Sequence, residues 1–394
     1  MGGEETKCST GGGLKMLKGC ISFYDTSGGG NGTAVPPGFY PAADLALRHG
    51  GAAFRAELRA LITSNLSLKA MDSQAAWQYF DKIFSRVNSA MAYRPFYYAY
   101  LLNTFQVHVD DNVNHVEIRA LCGTGTLGET FDFGGKVYGG DEVIDTYRQA
   151  LAEFQGKGNE GFTLRLIVSS LRVLDPEHIE ADVADAVQLK FRNEDLVSGF
   201  DLVAEEDPNH RTLDYLDVWM ELKQQEEKYN VELPLFFHDG ESNDRNDTNI
   251  IDAVLLNSTR IGHGTNLYFY PYLFDIIKEQ GTTLEVNPIS NQVLRYVDNL
   301  ELHPVNTFLA EGLNVAIAAD DPGCFGYTGL TYDYWVSMVA FQLDLKAMKT
   351  LALNSLEFSS IYDEEVKAGV IGRWEKDWEG FIDDTLANIK AAKA

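Results

Sequence analysis

An apolar run from Leu233 ends on Phe236-Phe237-His238-Asp239-Gly240-Glu241, which sets a histidine and a glutamate three residues apart in a glycine turn. That pairing is a compact acid/base unit, with a ring nitrogen on one side and a carboxyl able to give or take a proton on the other. Two later stretches have the same form. Thr259-Arg260-Ile261-Gly262-His263-Gly264 ends a short run on a histidine, and Asn314-Val315-Ala316-Ile317-Ala318-Ala319-Asp320-Asp321-Pro322 ends a β-branched run on paired aspartates. His238, His263 and Asp320 are the donor types that hold a metal ion with an open position, where bound water becomes a nucleophile. Glu241 is placed to shuttle protons and Asp321 to accept a hydrogen bond from a ligand N–H. Each residue also has a plainer reading, since a lone strand-end histidine is more often structural and Asp-Asp-Pro is an ordinary turn. Three such strand ends in succession favour the chemical reading, because parallel barrels build their chemistry from the C-terminal tips of successive strands.

The intervening pattern supplies that frame. Strands are predicted at 17–24, 115–121, 163–169, 196–202, 233–238, 259–262, 283–287 and 314–319, with helical runs at 141–155, 176–192, 212–229, 268–280 and 304–311 between them. Strand alternating with helix gives a parallel sheet with right-handed crossovers, and eight units give an α/β, TIM-type (β/α)8 barrel with extra helices at both ends. The helical stretch from 41 to 107 includes a segment at 72–90 that starts on Asp72 as N-cap and to which Trp77, Tyr79, Phe80 and Phe84 give a partly buried face. From 331 onward the chain reads as helix, with Trp335, Trp374 and Trp378 expected to pack it against the barrel. Residues 1–15 read as a flexible tail, 27–37 as a loop, and 16–394 as one domain.

A formal charge of −26 excludes nucleic acid and anionic membranes as favoured partners. No stretch of about 18 apolar residues is present, so no membrane helix is expected. Cys8, Cys20, Cys122 and Cys324 lack the spacing of a metal knuckle. Met1 to Thr6 has neither the basic nor the apolar region of a signal peptide, which makes the cytoplasm the default expectation. Sequons at Asn31, Asn65, Asn246 and Asn257 point the other way. The compartment stays open.

His238-Asp239-Gly240-Glu241, Arg260-Ile261-Gly262-His263-Gly264, Asn287-Pro288-Ile289-Ser290-Asn291 and Asp320-Asp321-Pro322 resemble, in order, the motifs of adenosine deaminases. Asn112-Val113-Asn114-His115-Val116-Glu117-Ile118-Arg119 and the motif spacing are most similar to the adenosine deaminase growth factor branch, which is extracellular. The resemblance runs from about residue 14 to the C-terminus. It implies a metal-dependent hydrolase barrel of the amidohydrolase kind that converts adenosine to inosine. By the same resemblance, His238 and Asp320 ligate zinc, Glu241 protonates the purine ring and His263 orients the attacking hydroxide. Asp321 holds the purine, Gly240 contacts it through the backbone, and Asp25 joins the substrate site.

One element departs from the family pattern. The family carries a His-x-His pair of zinc ligands on its first strand. In Met16-Leu17-Lys18-Gly19-Cys20-Ile21-Ser22-Phe23-Tyr24-Asp25-Thr26, with Lys18-Gly19 and Asp25-Thr26 as anchors, Ser22 and Tyr24 fill those two slots. A neutral hydroxyl is a poor zinc ligand, and a phenol with a pKa near ~10 must first lose its proton. None of His49, His108, His115, His178, His210 and His303 falls at the first strand tip. The leading reading is therefore an adenosine-deaminase-like pseudoenzyme that keeps a pocket for adenosine or a related purine nucleoside, or serves as a scaffold with a protein partner or its own copy. A working adenosine deaminase with zinc and an unforeseen ligand is the second reading, and an amidohydrolase acting on another amine or amide is the third. The cofactor is zinc if the protein is active, and none otherwise. The branch's N-terminal dimerisation segment is not expected here, so neither is a family-like dimer.

Overall fold

The structure is a computed structural model that describes residues 47, 50–64, 71–122, 128–132 and 135–393. The expected tail, the strand at 17–24 and the residues Ser22, Tyr24 and Asp25 lie outside the described residues.

Helices α1 (Gly51–Leu61), α2 (Ser73–Met91) and α3 (Arg94–Asp110) lead into the barrel. The core then alternates β1 (His115–Ala120), α4 (Asp141–Gln155), β4 (Thr163–Leu171), α5 (Pro176–Arg192), β5 (Val197–Val203) and α6 (Leu216–Tyr229). A small antiparallel pair, β2 (Thr130–Phe131) and β3 (Val137–Tyr138), interrupts the series after β1. The second half runs β6 (His238–Asp239), α7 (Asn249–Leu255), β7 (Arg260–His263), α8 (Phe274–Gln280), β8 (Thr283–Val286), α9 (Pro288–Val293), α10 (Val305–Ala310) and β9 (Asn314–Ile317). Helices α11 (Thr331–Ala340), α12 (Leu345–Glu357) and α13 (Glu364–Lys393) follow.

Strands β1, β4 and β5 form one parallel sheet and β6 to β9 another. Phe200 joins them, because its N–H donates to the Pro234 carbonyl and its own carbonyl accepts from Phe236 N. Gly199 makes that seam possible: a Cβ there would fall 2.0 Å from the Pro234 oxygen. The strands follow one another in chain order, as the alternating pattern predicts, and β4, β5, β7 and β8 are almost wholly buried. Helices on the outer face and packed side chains on the inner one bury both faces of these strands, which explains why they read as continuous apolar runs. Asp72 caps α2 by accepting from Ala75 N, as expected.

Some expectations change. The 212–229 run opens with a 3-10 turn, Thr212–Tyr215, and the 268–280 run is broken into 3-10 pieces before α8. Trp335 does not pack on the barrel: it is 63% exposed, and Asp333 and Ser337 are the buried residues of α11. The reason is polar. Asp333 accepts from the Tyr327 hydroxyl at 2.6 Å and from Ile289 N at 3.4 Å, which turns the helix's polar side toward the loops after β8 and β9. Trp374 is half-buried against Leu356, Ile361 and Val370 and stacks on Trp378.

Candidate active site

The barrel interior carries an ionic ladder that ends on His238. Arg260 pairs with Glu117 and Glu285, Glu285 pairs with Arg119 at 2.9 Å, and Arg119 Nε donates to Asp201 Oδ2 at 2.6 Å. Burial alone would raise the Asp201 carboxyl, but His238 and Arg119 hold it below the ordinary carboxylate range. Asp201 then grips His238 twice, accepting from its backbone N–H at 2.9 Å and meeting ring Nδ1 at 2.6 Å. With Nδ1 so occupied, Nε2 is the nitrogen left for the site, an orientation shared by many metal-binding histidines. A buried guanidinium, Arg172, braces the same strand by donating to the His238 carbonyl at 2.5 Å and to Asp239 at 3.0 Å.

His263 and Asp320 arrive from the ends of β7 and β9. Both have left-handed backbones, with φ of 65° and 57°, a strain of roughly 1–3 kcal/mol each for non-glycine residues that concentrates at functional sites. His263 Nε2 lies 3.9 Å from Asp320 Oδ2, and Ser290 Oγ donates to that oxygen at 2.6 Å. Asp320 counts as exposed by whole residue, yet its side chain is only 16% exposed, so the carboxylate is the sheltered part. Ring nitrogens of His238 and His263 and an Asp320 oxygen lie within 4.8 Å of one another. Burial lowers the His263 pKa to about 4, so the ring is neutral near pH 7.

Glu241 sits beside this group. Its backbone N–H and that of Gly240 donate to the Glu206 carboxylate at 2.7 and 3.0 Å, which locks the turn. Burial, then the negative charge of Asp320, pushes the Glu241 carboxyl well above the usual range. In its protonated form this carboxyl is an O–H donor to the site. Its Oε1 is buried without a hydrogen-bond partner, 3.4 Å from His263 Nδ1. Burial and the neighbouring Asp320 likewise raise Asp321. The Gly240 N–H donates to Glu206 and its carbonyl accepts from Asn266 N, which leaves the carbonyl one further lone pair for a ligand.

Sequence reasoning left several supporting residues without a role. Asp201, Glu206, Arg172 and His303 carry no local signature, whereas Arg119 ends a motif already singled out. Ser290 and Asn291 lie in a motif already singled out, and its polar residues at the end of a predicted strand were the available signal. Asp333, which braces this loop, is pushed up to about 7, with burial the chief cause. A carboxyl raised above its unfolded value contributes stability that is present below about pH 4 and lost as pH rises through about 7. The unfolding free energy of Asp333→Asn relative to the native chain should therefore rise between pH 4 and pH 8, by on the order of 4 kcal/mol. Urea unfolding at both pH values checks this, and a pH-independent difference would refute it.

His238 and Asp320 suit a divalent metal as first-sphere donors. They are half of the four protein donors implied by the resemblance, and the slots for the others hold Ser22 and Tyr24. No other histidine among the described residues joins the group: His115, for one, is taken up by Thr163 and Glu117. Among the described residues the donor set falls short of a closed zinc site.

The adenosine deaminase family model matches residues 44–376. The chain belongs to the adenosine deaminase family. Adenosine deaminase 2 of Dictyostelium discoideum is 33% identical over 81% of the chain, and that of Homo sapiens is 33% identical over 82%. The chain spans 58% and 63% of the lengths of these two relatives. Among solved structures, the N6-methyl-AMP deaminase of Arabidopsis thaliana superposes with a TM-score of 0.64 at 17% identity, covering 85% of this chain and 90% of the other. An amidohydrolase from Burkhoderia ambifaria with bound zinc gives 0.57 at 19% identity, covering 88% and 87%. At such identities the likeness speaks for the fold alone, which is the amidohydrolase-type α/β barrel.

Proposed function

We propose that this adenosine deaminase family member binds a purine nucleoside at the mouth of its barrel and is impaired in zinc-dependent deamination. The observation that carries the reading is Glu241. Its carboxyl is buried and raised well above the ordinary range, its turn is anchored by two amide bonds, and its Oε1 has no partner. An unmatched buried polar atom costs about 1–3 kcal/mol unless a ligand pairs with it. A purine ring nitrogen is an acceptor suited to the Glu241 O–H. Asp321 is the candidate partner for the ring's other edge, and His263 lines the same space. Family membership supports the purine, while the donor set of His238 and Asp320, with Ser22 and Tyr24 in the remaining slots, supports the loss of the metal.

Metal content and adenosine turnover measured on one sample test the reading. The expected result is far less than one zinc per chain, no inosine, and saturable adenosine binding by calorimetry. About one zinc per chain, with inosine production abolished by a chelator, would instead establish a working deaminase. No adenosine binding at all would remove the pocket reading. Glu241→Ala should weaken adenosine binding by about tenfold, the loss of one hydrogen bond in a buried site. Glu241→Gln keeps an N–H donor and should lose much less. Equal losses in the two variants would show that Glu241 does not bind as the neutral acid.

A further inference from the structure

We infer that His303, acting through Asn291, holds His263 in the tautomer protonated at Nε2, which makes His263 a hydrogen-bond donor to the pocket and removes it from the set of metal ligands. The chain of reasoning starts at a group with only one role. The backbone N–H of Val305 donates to His303 Nδ1 at 3.1 Å, so Nδ1 carries no proton. A neutral imidazole has one N–H, and it must then be on Nε2. His303 Nε2 faces Asn291 at 3.1 Å, and the atom receiving its proton is the amide oxygen, Oδ1. The other end of the Asn291 amide is therefore the NH2, and it meets His263 Nδ1 at 3.0 Å. That nitrogen accepts, so the His263 proton is on Nε2.

A second amide fixes the same answer independently. Asn287 Nδ2 lies 3.1 Å from the Glu285 carbonyl, which can only accept, so this atom is the nitrogen. The same Nδ2 lies 3.3 Å from His263 Nδ1. Two N–H donors thus converge on one ring nitrogen. Glu241 Oε1 also faces it at 3.4 Å but makes no hydrogen bond. All the rings and amides involved are nearly inaccessible: His263 is 1%, Asn291 0%, Asn287 4% and His303 3% exposed. Bulk solvent does not compete for these groups.

The consequence is chemical. A nitrogen bearing a proton has no lone pair for a metal, so the spatial group of His238, His263 and Asp320 contains two available donors rather than three. His263 Nε2–H points toward the space beside Asp320, 3.9 Å away, and will recognise an oxygen or other acceptor placed there. His303 and Asn291 act on the pocket only through His263 and are positioning residues. The tautomer stands whether or not the pocket takes a purine.

Nitrogen NMR of the full chain labelled with 15N-histidine tests this without ligand or metal. The His263 and His303 signals are assigned by their disappearance in His263→Gln and His303→Gln. Both rings are expected to show an unprotonated Nδ1 and a protonated Nε2. A protonated Nδ1 on His263 would overturn the inference, and where a variant fails to fold, through-bond correlation from each ring to its own backbone in the native chain supplies the assignment instead. Asn291→Asp places a carboxylate against His263 Nδ1 and should transfer the proton to that nitrogen. A folded Asn291→Asp protein with an unchanged His263 spectrum would refute the role of Asn291. His303→Leu, which lets the Asn291 amide rotate, should move part of the His263 population to the Nδ1–H tautomer while Asn287 holds the rest, whereas His303→Gln keeps an amide donor and should restore a single tautomer. Simple loss of packing would lower the unfolding midpoint but would not move a proton between ring nitrogens.

Discussion

Replacing Ser22 and Tyr24 together by histidine is expected to raise zinc affinity by about four to six orders of magnitude. A four-ligand protein zinc site is worth roughly 10–16 kcal/mol, or ~3–4 kcal/mol per ligand, and the double variant adds two ligands. Both positions lie outside the described residues, so the expectation rests on the flanking Lys18-Gly19 and Asp25-Thr26 and on what waits across the barrel. There, His238 is already held by Asp201 with Nε2 free, and Asp320 is already oriented by Ser290. These second partners are what a metal site needs beyond its donors, and forming them anew is a large part of the difficulty of building one. Competition titration with a chromogenic chelator measures the change. Each single variant should recover only part of the gain, because three donors hold the ion less tightly than four. A double variant that binds zinc no better than the native chain would mean that the mouth has diverged beyond two side chains. If zinc returns and inosine appears with it, Glu241, His263 and Asp321 have kept a competent arrangement.

The second large effect is structural. Arg172→Met should destabilise the chain by about 3–5 kcal/mol, the range for breaking a buried pair by removing one partner. Arg172 is fully buried, and it donates to Asp239, to the His238 carbonyl and to the His210 carbonyl. The charge of Glu206 lies close by as well. Without the guanidinium, Asp239 keeps only the Thr212 hydroxyl as a side-chain donor, in an interior already crowded with carboxyls. Arg172→Met with Asp239→Ala removes both members of the pair and should recover most of the loss, which urea unfolding of the single and double variants will show. If the double variant is as unstable as Arg172→Met, the cost comes from the lost carbonyl contacts to β6 rather than from the stranded carboxyl. Because Asp239 follows His238 directly, Arg172→Met should also loosen the site and weaken adenosine binding.

The amino-acid sequence by itself determined the order of the chemistry. Strands buried on both faces are read as unbroken apolar runs, so the run ending on His238 and the one leading to Asp320 were visible without coordinates. Helices with caps and long periodic faces were legible for the same local reason: Asp72 begins α2, and Asp175-Pro176 begins α5. The replacement of the first-strand histidines by Ser22 and Tyr24 is a statement of sequence alone. Short helices such as α7 and α9 span fewer than three turns and carry too little periodicity to be read.

Only the tertiary structure decided which atoms of those residues are available. Asp201 meets His238 across 37 positions and Arg119 meets Asp201 across 82, because neighbouring strands of a barrel bring together residues that no local pattern connects. Trp335 reads as a core residue by hydrophobicity, yet it faces outward because the hydrogen bonds of Asp333 to a distant loop orient α11. The tautomer of His263 is the clearest case. A sequence names a histidine, but which nitrogen carries the proton depends on the groups that face the ring, and those come from Asn287, Asn291 and His303 on later segments of the fold.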